Sequence, residues 1–290
     1  MTTLLALGAA LAYGVADFLG GAASRSSTAL RVLTWGVPVG LAILLVSASL
    51  TGGEPAPGPS ARGFCAGLAG GIGLMTFYRA LARGPMNVVA PVSALAAAVL
   101  PVIVGVVRGE RLDASVAVGV VLCLVAIGLV SMEAGDGATA TADGSRRLVD
   151  SGPVMAGVSG ICFGTFFVLL KAAGDSTGLW PIVGARVGNL AVVVVALLFL
   201  AVRGADLGPP LPRRTLVGLA MLAGGLDAAA NVLYFLAAHS GLLSLAAVLT
   251  SLYPAITVLL ARITYRERLR TVQQLGMAVA VAGVALVTVG

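Results

Sequence analysis

Asp227 sits in the middle of an apolar run spanning 215–237, with Asn231 and Tyr234 following at i+4 and i+7. On a helix turning about 100° per residue these three fall within a stripe roughly 60° wide. An ionisable group at the centre of a bilayer costs several kcal/mol, so such a stripe is expected to face protein or water. Two roles fit it: a hydrogen-bonded cluster that fixes packing, or the polar wall of a solute pathway. The next run, 242–262, carries a second stripe of Thr250, Tyr253, Pro254 and Thr257 at i, i+3, i+4 and i+7. Pro254 lacks an N–H and should kink its helix, leaving a carbonyl for water, a neighbouring side chain or a ligand. It is the expected hinge, or else a kink that serves packing. In the first run, 3–21, Tyr13 and Asp17 share a face at i, i+4; Asp17 lies nearer a helix end, where a solvated or capped carboxylate is the alternative. In the run 87–107, Ser93 is the lone hydroxyl on the matching stripe, and the prolines stand at Pro91 and Pro101.

Together these residues could hydrogen-bond a small organic solute. Shielding a carboxylate from water favours its neutral form, so Asp227 or Asp17 could also exchange a proton as part of a coupled cycle. Asp227→Asn, which keeps the volume, is then expected to uncouple transport from a pH gradient.

Other chemistry finds little support. Cys65, Cys123 and Cys162 each lie within an apolar run without metal-ligand spacing and read as small core residues. No metal site and no cofactor is expected. Gly157-Val158-Ser159-Gly160 with the single histidine, His239, resembles the pairing of an intramembrane serine protease. Ser159 lies early in one run and His239 past the end of another, which separates them in depth by roughly 20 Å, whereas a catalytic dyad needs about 3 Å. No catalytic residue is therefore assigned. No nucleotide-binding motif is present. The net charge of +6 comes from arginines placed mostly between apolar runs, which suits helix ends and topology rather than nucleic acid.

The elements that must position these residues follow from composition. Hydrophobic residues make up 59% of the 290 and charged residues 10%, with a mean hydropathy of +1.04. Soluble proteins carry about 25% charge, so this chain is expected to be integral to a bilayer. Apolar runs fall at 3–21, 30–50, 63–82, 87–107, 113–132, 152–171, 180–201, 215–237, 242–262 and 271–289. A helix crosses the hydrocarbon core in about 20 residues, which makes these ten transmembrane helices. Continuous rather than alternating hydrophobicity excludes a β-barrel. The start Met-Thr-Thr-Leu has no basic region and Asp17 interrupts the stretch, so the first run is expected to remain as a helix. Gly36/Gly40, Gly67/Gly71, Gly160/Gly164 and Gly184/Gly188 have the spacing of close helix packing in lipid.

The longest break, 133–151, is rich in Gly, Thr, Ala and Asp and separates five runs from five. Residues 84–131 and 241–288 repeat one pattern at an offset of 157, with ten of 48 paired positions identical and Glu110-Arg111-Leu112 matched by Glu267-Arg268-Leu269. At offset 150, Tyr13-Gly14 matches Phe163-Gly164. Five helices per copy is odd, so the second copy must enter the membrane inverted. The fold class is thus an all-α membrane protein of ten helices as a 5+5 inverted repeat, with 1–132 and 152–290 as halves and 133–151 as linker. Inverted repeats of this kind enclose solute sites at their interface. The acids are not repeated: Gly70 pairs with Asp227 and Phe167 with Asp17. An asymmetric lining suits an organic solute better than a simple ion. Glu110 and Glu267 are expected to pair or cap at helix ends, and Arg79, Lys171 and Arg186 to snorkel toward the interface. The positive-inside rule places both termini outside, because thirteen arginines collect on the face opposite the termini.

Phe77-Tyr78 with Ala80, Tyr234-Phe235 with Ala237, the following glycine, the proline-bearing run and the Glu-Arg-Leu turn resemble tandem EamA domains of the drug/metabolite transporter superfamily. Ser251-Leu252-Tyr253-Pro254 is similar to that family's Ser-x-x-Pro; the first half has Ala97 where the proline would fall. The resemblance covers nearly the whole chain. It implies secondary transport of a small organic metabolite, often outward, across a plasma membrane. It also implies a central cavity lined by helices 1, 3, 4, 6, 8 and 9, and both termini in the cytoplasm, opposite to the arginine count. The alternative from another class is a non-transporting membrane protein, a sensor or assembly subunit, whose stripes only pack. Oligomeric state and substrate identity are not written in the residues.

Overall fold

The computed structural model describes residues 1–83, 86–109, 114–132, 152–204, 206–207 and 214–265, together with 271–272, 275–276, 278–279, 282–283 and 286. Every regular element among them is an α-helix: α1 Thr2–Arg25, α2 Ala29–Thr51, α3 Pro57–Arg83, α4 Met86–Val107, α5 Ala114–Met132, α6 Gly152–Ala173, α7 Trp180–Val202, α8 Arg214–Ser240, α9 Leu243–Thr250 and α10 Tyr253–Tyr265. Among the described residues, seven helical stretches are long and apolar enough to cross a bilayer, one of them running Leu243–Thr264 through α9 and α10. Val46, Leu50, Ile161, Val195 and Leu198 are exposed, which suits hydrocarbon and would be costly in water. The chain is a multi-pass membrane protein. Glu110, Arg111, Glu267, Arg268 and the linker lie outside the described residues.

Local chemistry sets the helix ends. The Thr28 hydroxyl accepts from the Arg31 N–H at 3.4 Å at the start of α2, and Gly52 ends that helix at φ 81°, a left-handed conformation open to glycine. Pro181 occupies the first turn of α7, where its missing N–H costs nothing. The ninth apolar run is broken. α9 stops at Thr250 and α10 resumes at Tyr253, while α4, with Ala97 in place of the proline, runs unbroken. Pro254 has no N–H to offer the Thr250 carbonyl. The chain turns there instead, with Leu252 N–H donating to Leu249 O at 3.2 Å and Ala255 N–H to Leu252 O at 3.0 Å.

Contacts at the two ends of the bundle follow alternating passes. At one end Arg62 donates to the Ala172 carbonyl at 3.0 Å, Trp180 Nε1 to the Gly53 carbonyl at 3.0 Å, and Lys171 to the Ala238 carbonyl. At the other end the Thr28 hydroxyl donates to Leu207 O at 3.0 Å. Lys171 therefore satisfies the end of α8 rather than snorkelling.

The packing has a regularity. α1 lies on α8 and α3 on α6; α2 lies on α8 and α7 on α3; α4 lies on α6 and α10 on α1. Each relation turns into its partner when α1, α2, α3 and α4 are exchanged for α6, α7, α8 and the broken run α9–α10. Glycines bring the backbones together. Gly63, Gly67 and Gly71 of α3 face Pro181, Ala185 and Asn189 of α7, and a Cβ on Gly67 would overlap the Ala185 carbonyl. Gly36 and Gly224 meet in the same way between α2 and α8. Cys65 falls two residues from that glycine edge, about 200° round the helix. It is accordingly exposed rather than in the core, whereas Cys123 is buried. Gly283 of the last run lies against Gly119 and Cys123 of α5.

Candidate functional site

A cavity lies among α1, α3, α4, α6, α7, α8 and α10. One wall carries Tyr13 and Asp17 from α1 with Asp227 and Asn231 from α8, and Asn189 of α7 and Tyr253 of α10 also reach it. The facing wall is Gly70 and Leu74 of α3 with Phe163, Phe166 and Phe167 of α6, and Ala97 of α4 completes the lining. The two walls are related in the sequence. Tyr13 and Phe163, and Asp17 and Phe167, stand at offset 150; Gly70 and Asp227, and Leu74 and Asn231, stand at offset 157. In each pair one member is polar and the other is not. All the polar members lie on α1 and α8, which pack together, and all the apolar ones on α3 and α6. The cavity is thus two-faced, polar on one side and aromatic on the other.

Asp227 does not stand alone. Arg186 of α7 donates to its Oδ2 through Nη2, and Asn231 Nδ2 reaches the same oxygen at 3.2 Å and the Asp227 carbonyl at 2.6 Å. Arg186 is 2% exposed. The snorkelling expected of it is corrected: Gly40, which faces the guanidinium across the packed helices, leaves room for the side chain to lie inward against the carboxylate. A second, smaller cavity lined by Arg186, Asp227, Leu74, Tyr78 and Gly224 lies behind the pair. Asp17 is 7% exposed, lines the cavity, and makes no hydrogen bond or ion pair to any described residue. Three other lining groups are buried without a hydrogen-bond partner among the described residues: the Tyr13 hydroxyl, the Asn189 side-chain oxygen and the Tyr253 hydroxyl. Buried polar atoms are nearly always satisfied, so four polar groups aimed at one cavity mark it as a place for something else to bind.

The EamA-like transporter family is matched over residues 1–132 and 150–289. The chain belongs to this family. It is part of the drug/metabolite transporter superfamily, whose members are membrane transporters rather than enzymes. A solved crystal structure has the same fold, with a TM-score of 0.70 at 19% identity over 99% of this chain and 96% of that one. No curated protein matches the chain in sequence.

In this EamA-like chain, four of the solute-binding candidates singled out from the sequence, and the expected hinge Pro254, lie away from the cavity lining. Thr250 donates to the Ala6 carbonyl at 3.5 Å, and Thr257 to the Gly14 carbonyl at 3.1 Å and its own helix's Tyr253 carbonyl at 3.3 Å. These threonines tie α9 and α10 to α1, where a Cβ on Gly14 would sit 2.7 Å from the Tyr253 carbonyl. Tyr234 is fully buried, with its ring 4.3 Å from that of Phe167 and its hydroxyl donating to the Phe167 carbonyl at 3.4 Å. Ser93 shares a 2.8 Å hydrogen bond with Ser159, whose hydroxyl also reaches the Ala156 carbonyl at 2.8 Å. The GxSG serine is therefore held between α4 and α6, while His239 contacts the Phe235 carbonyl at 2.8 Å on α8.

Two groups escaped sequence reasoning. The α6 phenylalanines carry no polar signal. Asn189 follows Arg186 at i+3, one turn further along the same face, and that spacing was the available clue. Among the described residues no group of histidine, cysteine and carboxylate side chains could hold a metal.

Proposed function

We propose that this protein is a secondary transporter of small organic solutes in the plasma membrane. Its ten helices form two inverted five-helix halves, 1–132 and 152–290, joined by 133–151, and it works by rocking one half against the other. The observation that carries this reading is the cavity. It is lined by residues from both 1–132 and 152–290, several at the repeat offsets, and presents polar groups with no partner among the described residues. The exchange symmetry of the helix contacts supports the same arrangement, since α1 on α8 and α3 on α6 are one interface seen from each half. Outward transport rests on the family resemblance alone. Polar stripes that serve packing alone would be expected to satisfy their buried polar atoms within the protein.

The break before Pro254 supplies a movable element beside the site. Rejoining α9 to α10 with Pro254→Ala gives the Thr250 carbonyl an N–H partner and should stiffen that element. Solute flux in liposomes is expected to fall several-fold while equilibrium binding is retained. Equal flux in variant and parent would remove the hinge role.

Topology is tested separately. Single cysteines placed in 108–112 and in 265–269 should label from opposite faces of the membrane, and labelling of both from one face would end the inverted-repeat arrangement. Flux is tested with purified protein in liposomes: solute-dependent uptake that vanishes when the cavity is blocked is the expected result, and a protein that binds and moves none of a broad solute panel would not be a transporter.

A further inference from the structure

Given a solute site between the halves, the lining selects among solute charges. Asp227 and Arg186 neutralise one another, and Arg186 lines the smaller cavity rather than the main one. The remaining charged group on the main lining is Asp17. No described lining residue brings a positive charge to balance it. The same lining holds three side-chain oxygens without a hydrogen-bond partner among the described residues, those of Tyr13, Tyr253 and Asn189. Across the cavity lie the rings of Phe163, Phe166 and Phe167, and Phe77 packs edge-on between Phe163 and Tyr253 at 5.8 and 6.4 Å.

We infer that the cavity takes an organic monocation: an ammonium group held against Asp17 on the α1 side, with a flat apolar body laid on the α6 phenylalanines. The reading rests on the solute site proposed above and adds its charge class.

Each part of such a solute meets a matching surface. An ammonium supplies the missing counter-charge and hydrogen-bond donors for the orphaned acceptors, and aromatic faces attract cations as well as apolar rings. Gly70 keeps the aromatic wall open, since a Cβ there would come within 2.9 Å of the Phe166 ring and 3.3 Å of the Asn189 oxygen. A free carboxylate on the solute would meet Asp17 with no lining cation to hold it. That disfavours anions and also zwitterionic amino acids.

A proton competes with the cation for Asp17. The charged and titratable groups facing Asp17 are Tyr13 on α1, Tyr78 on α3, Tyr253 on α10, and Asp227 on α8 with its Arg186 partner on α7. Among the other elements packed on α1, α9 has no titratable side chain and α2 has only Arg31, in its first turn. Proton and cation thus share one carboxylate, that of Asp17.

The test uses solutes that share one phenyl body: phenethylammonium, its N,N,N-trimethyl derivative, phenylalanine and phenylacetate, each titrated calorimetrically against the purified full-length protein. Either cation is expected to bind at least tenfold more tightly than phenylalanine or phenylacetate. Asp17→Asn should weaken the trimethyl cation at least tenfold with an unchanged melting temperature. Acidification should weaken that permanently charged probe in the parent protein and not in Asp17→Asn. If Asp17→Asn fails to fold, the pH dependence of the parent and Phe167→Ala, which removes a ring facing the cation, carry the test with the same signs. Tighter binding of phenylalanine or phenylacetate overturns the inference, as does absence of cation binding or cation binding indifferent to both Asp17→Asn and pH. Flux of the same compounds separates the two readings. Cation binding without flux retains the charge class and removes transport, while flux of phenylalanine alone retains transport and removes the charge class.

Discussion

Arg186→Met is expected to lower the stability of the protein by about 3–5 kcal/mol, because it leaves Asp227 charged and buried without its partner. Arg186 is 2% exposed, its Nη2 donates to Asp227, and the remaining Asp227 partner is the Asn231 amide. One carboxamide cannot compensate a whole charge in a site with little water. Asp227→Leu should be as damaging from the other side, stranding the guanidinium. The double variant, with both charges gone and similar side-chain volume, should recover most of the loss, since a well-packed apolar pair often matches or exceeds a buried ion pair. Thermal unfolding of the four proteins in detergent or nanodiscs reads this out. A melting temperature unchanged in Arg186→Met, or additive losses in the double variant, would mean that the two charges do not depend on each other. The same series separates scaffold from site: a double variant that folds and still binds solute places the pair in the framework and leaves recognition to Asp17 and its neighbours.

Gly67→Ala is expected to remove most of the folded protein. A Cβ there would overlap the Ala185 carbonyl, and Gly188 of α7 also faces α3 at this crossing. Backbone cannot yield as a side-chain end can, so the helices must separate. Overpacking alone costs about 1–3 kcal/mol, and here it also opens the α3–α7 interface that carries Asn189 to the cavity. Gly218→Ala is the matched control. It too is a glycine-to-alanine change within a helix, but nothing lies within 4 Å of its added Cβ. It should be neutral or slightly stabilising, because alanine favours the helix by up to about 1 kcal/mol. Yield of monodisperse protein and its melting temperature distinguish the two. Equal behaviour of the variants would show that α3 and α7 do not need glycine to approach.

Much of this architecture was legible before any coordinates. Hydrophobic runs about 20 residues long can only be helices in a bilayer, since an unpaired backbone amide in hydrocarbon is too costly. The proline at 254 announced an interruption, and the ninth run is indeed two helices, because the missing N–H is a property of the residue itself. The stripe of Asp227, Asn231 and Tyr234 placed three polar groups on one side of α8, since helical periodicity is local. Periodicity names which residues share a face and is silent about what the face meets. Asp227 and Asn231 open on the cavity, whereas Tyr234, less than a turn beyond Asn231, reaches the α6 backbone. Thr250 and Thr257 were chosen by the same argument, yet their hydroxyls serve the carbonyls of Ala6 and Gly14, acceptors that every residue carries and that leave no mark in sequence. Arg186 was the largest surprise. Near a helix end an arginine can reach outward or inward for similar effort, and the choice depends on a carboxylate 41 positions away in the chain. The two-faced cavity has the same origin. The repeat offsets said which positions correspond, but only the packing of α1 on α8 and of α3 on α6 gathers the polar members onto one wall and the aromatic members onto the other.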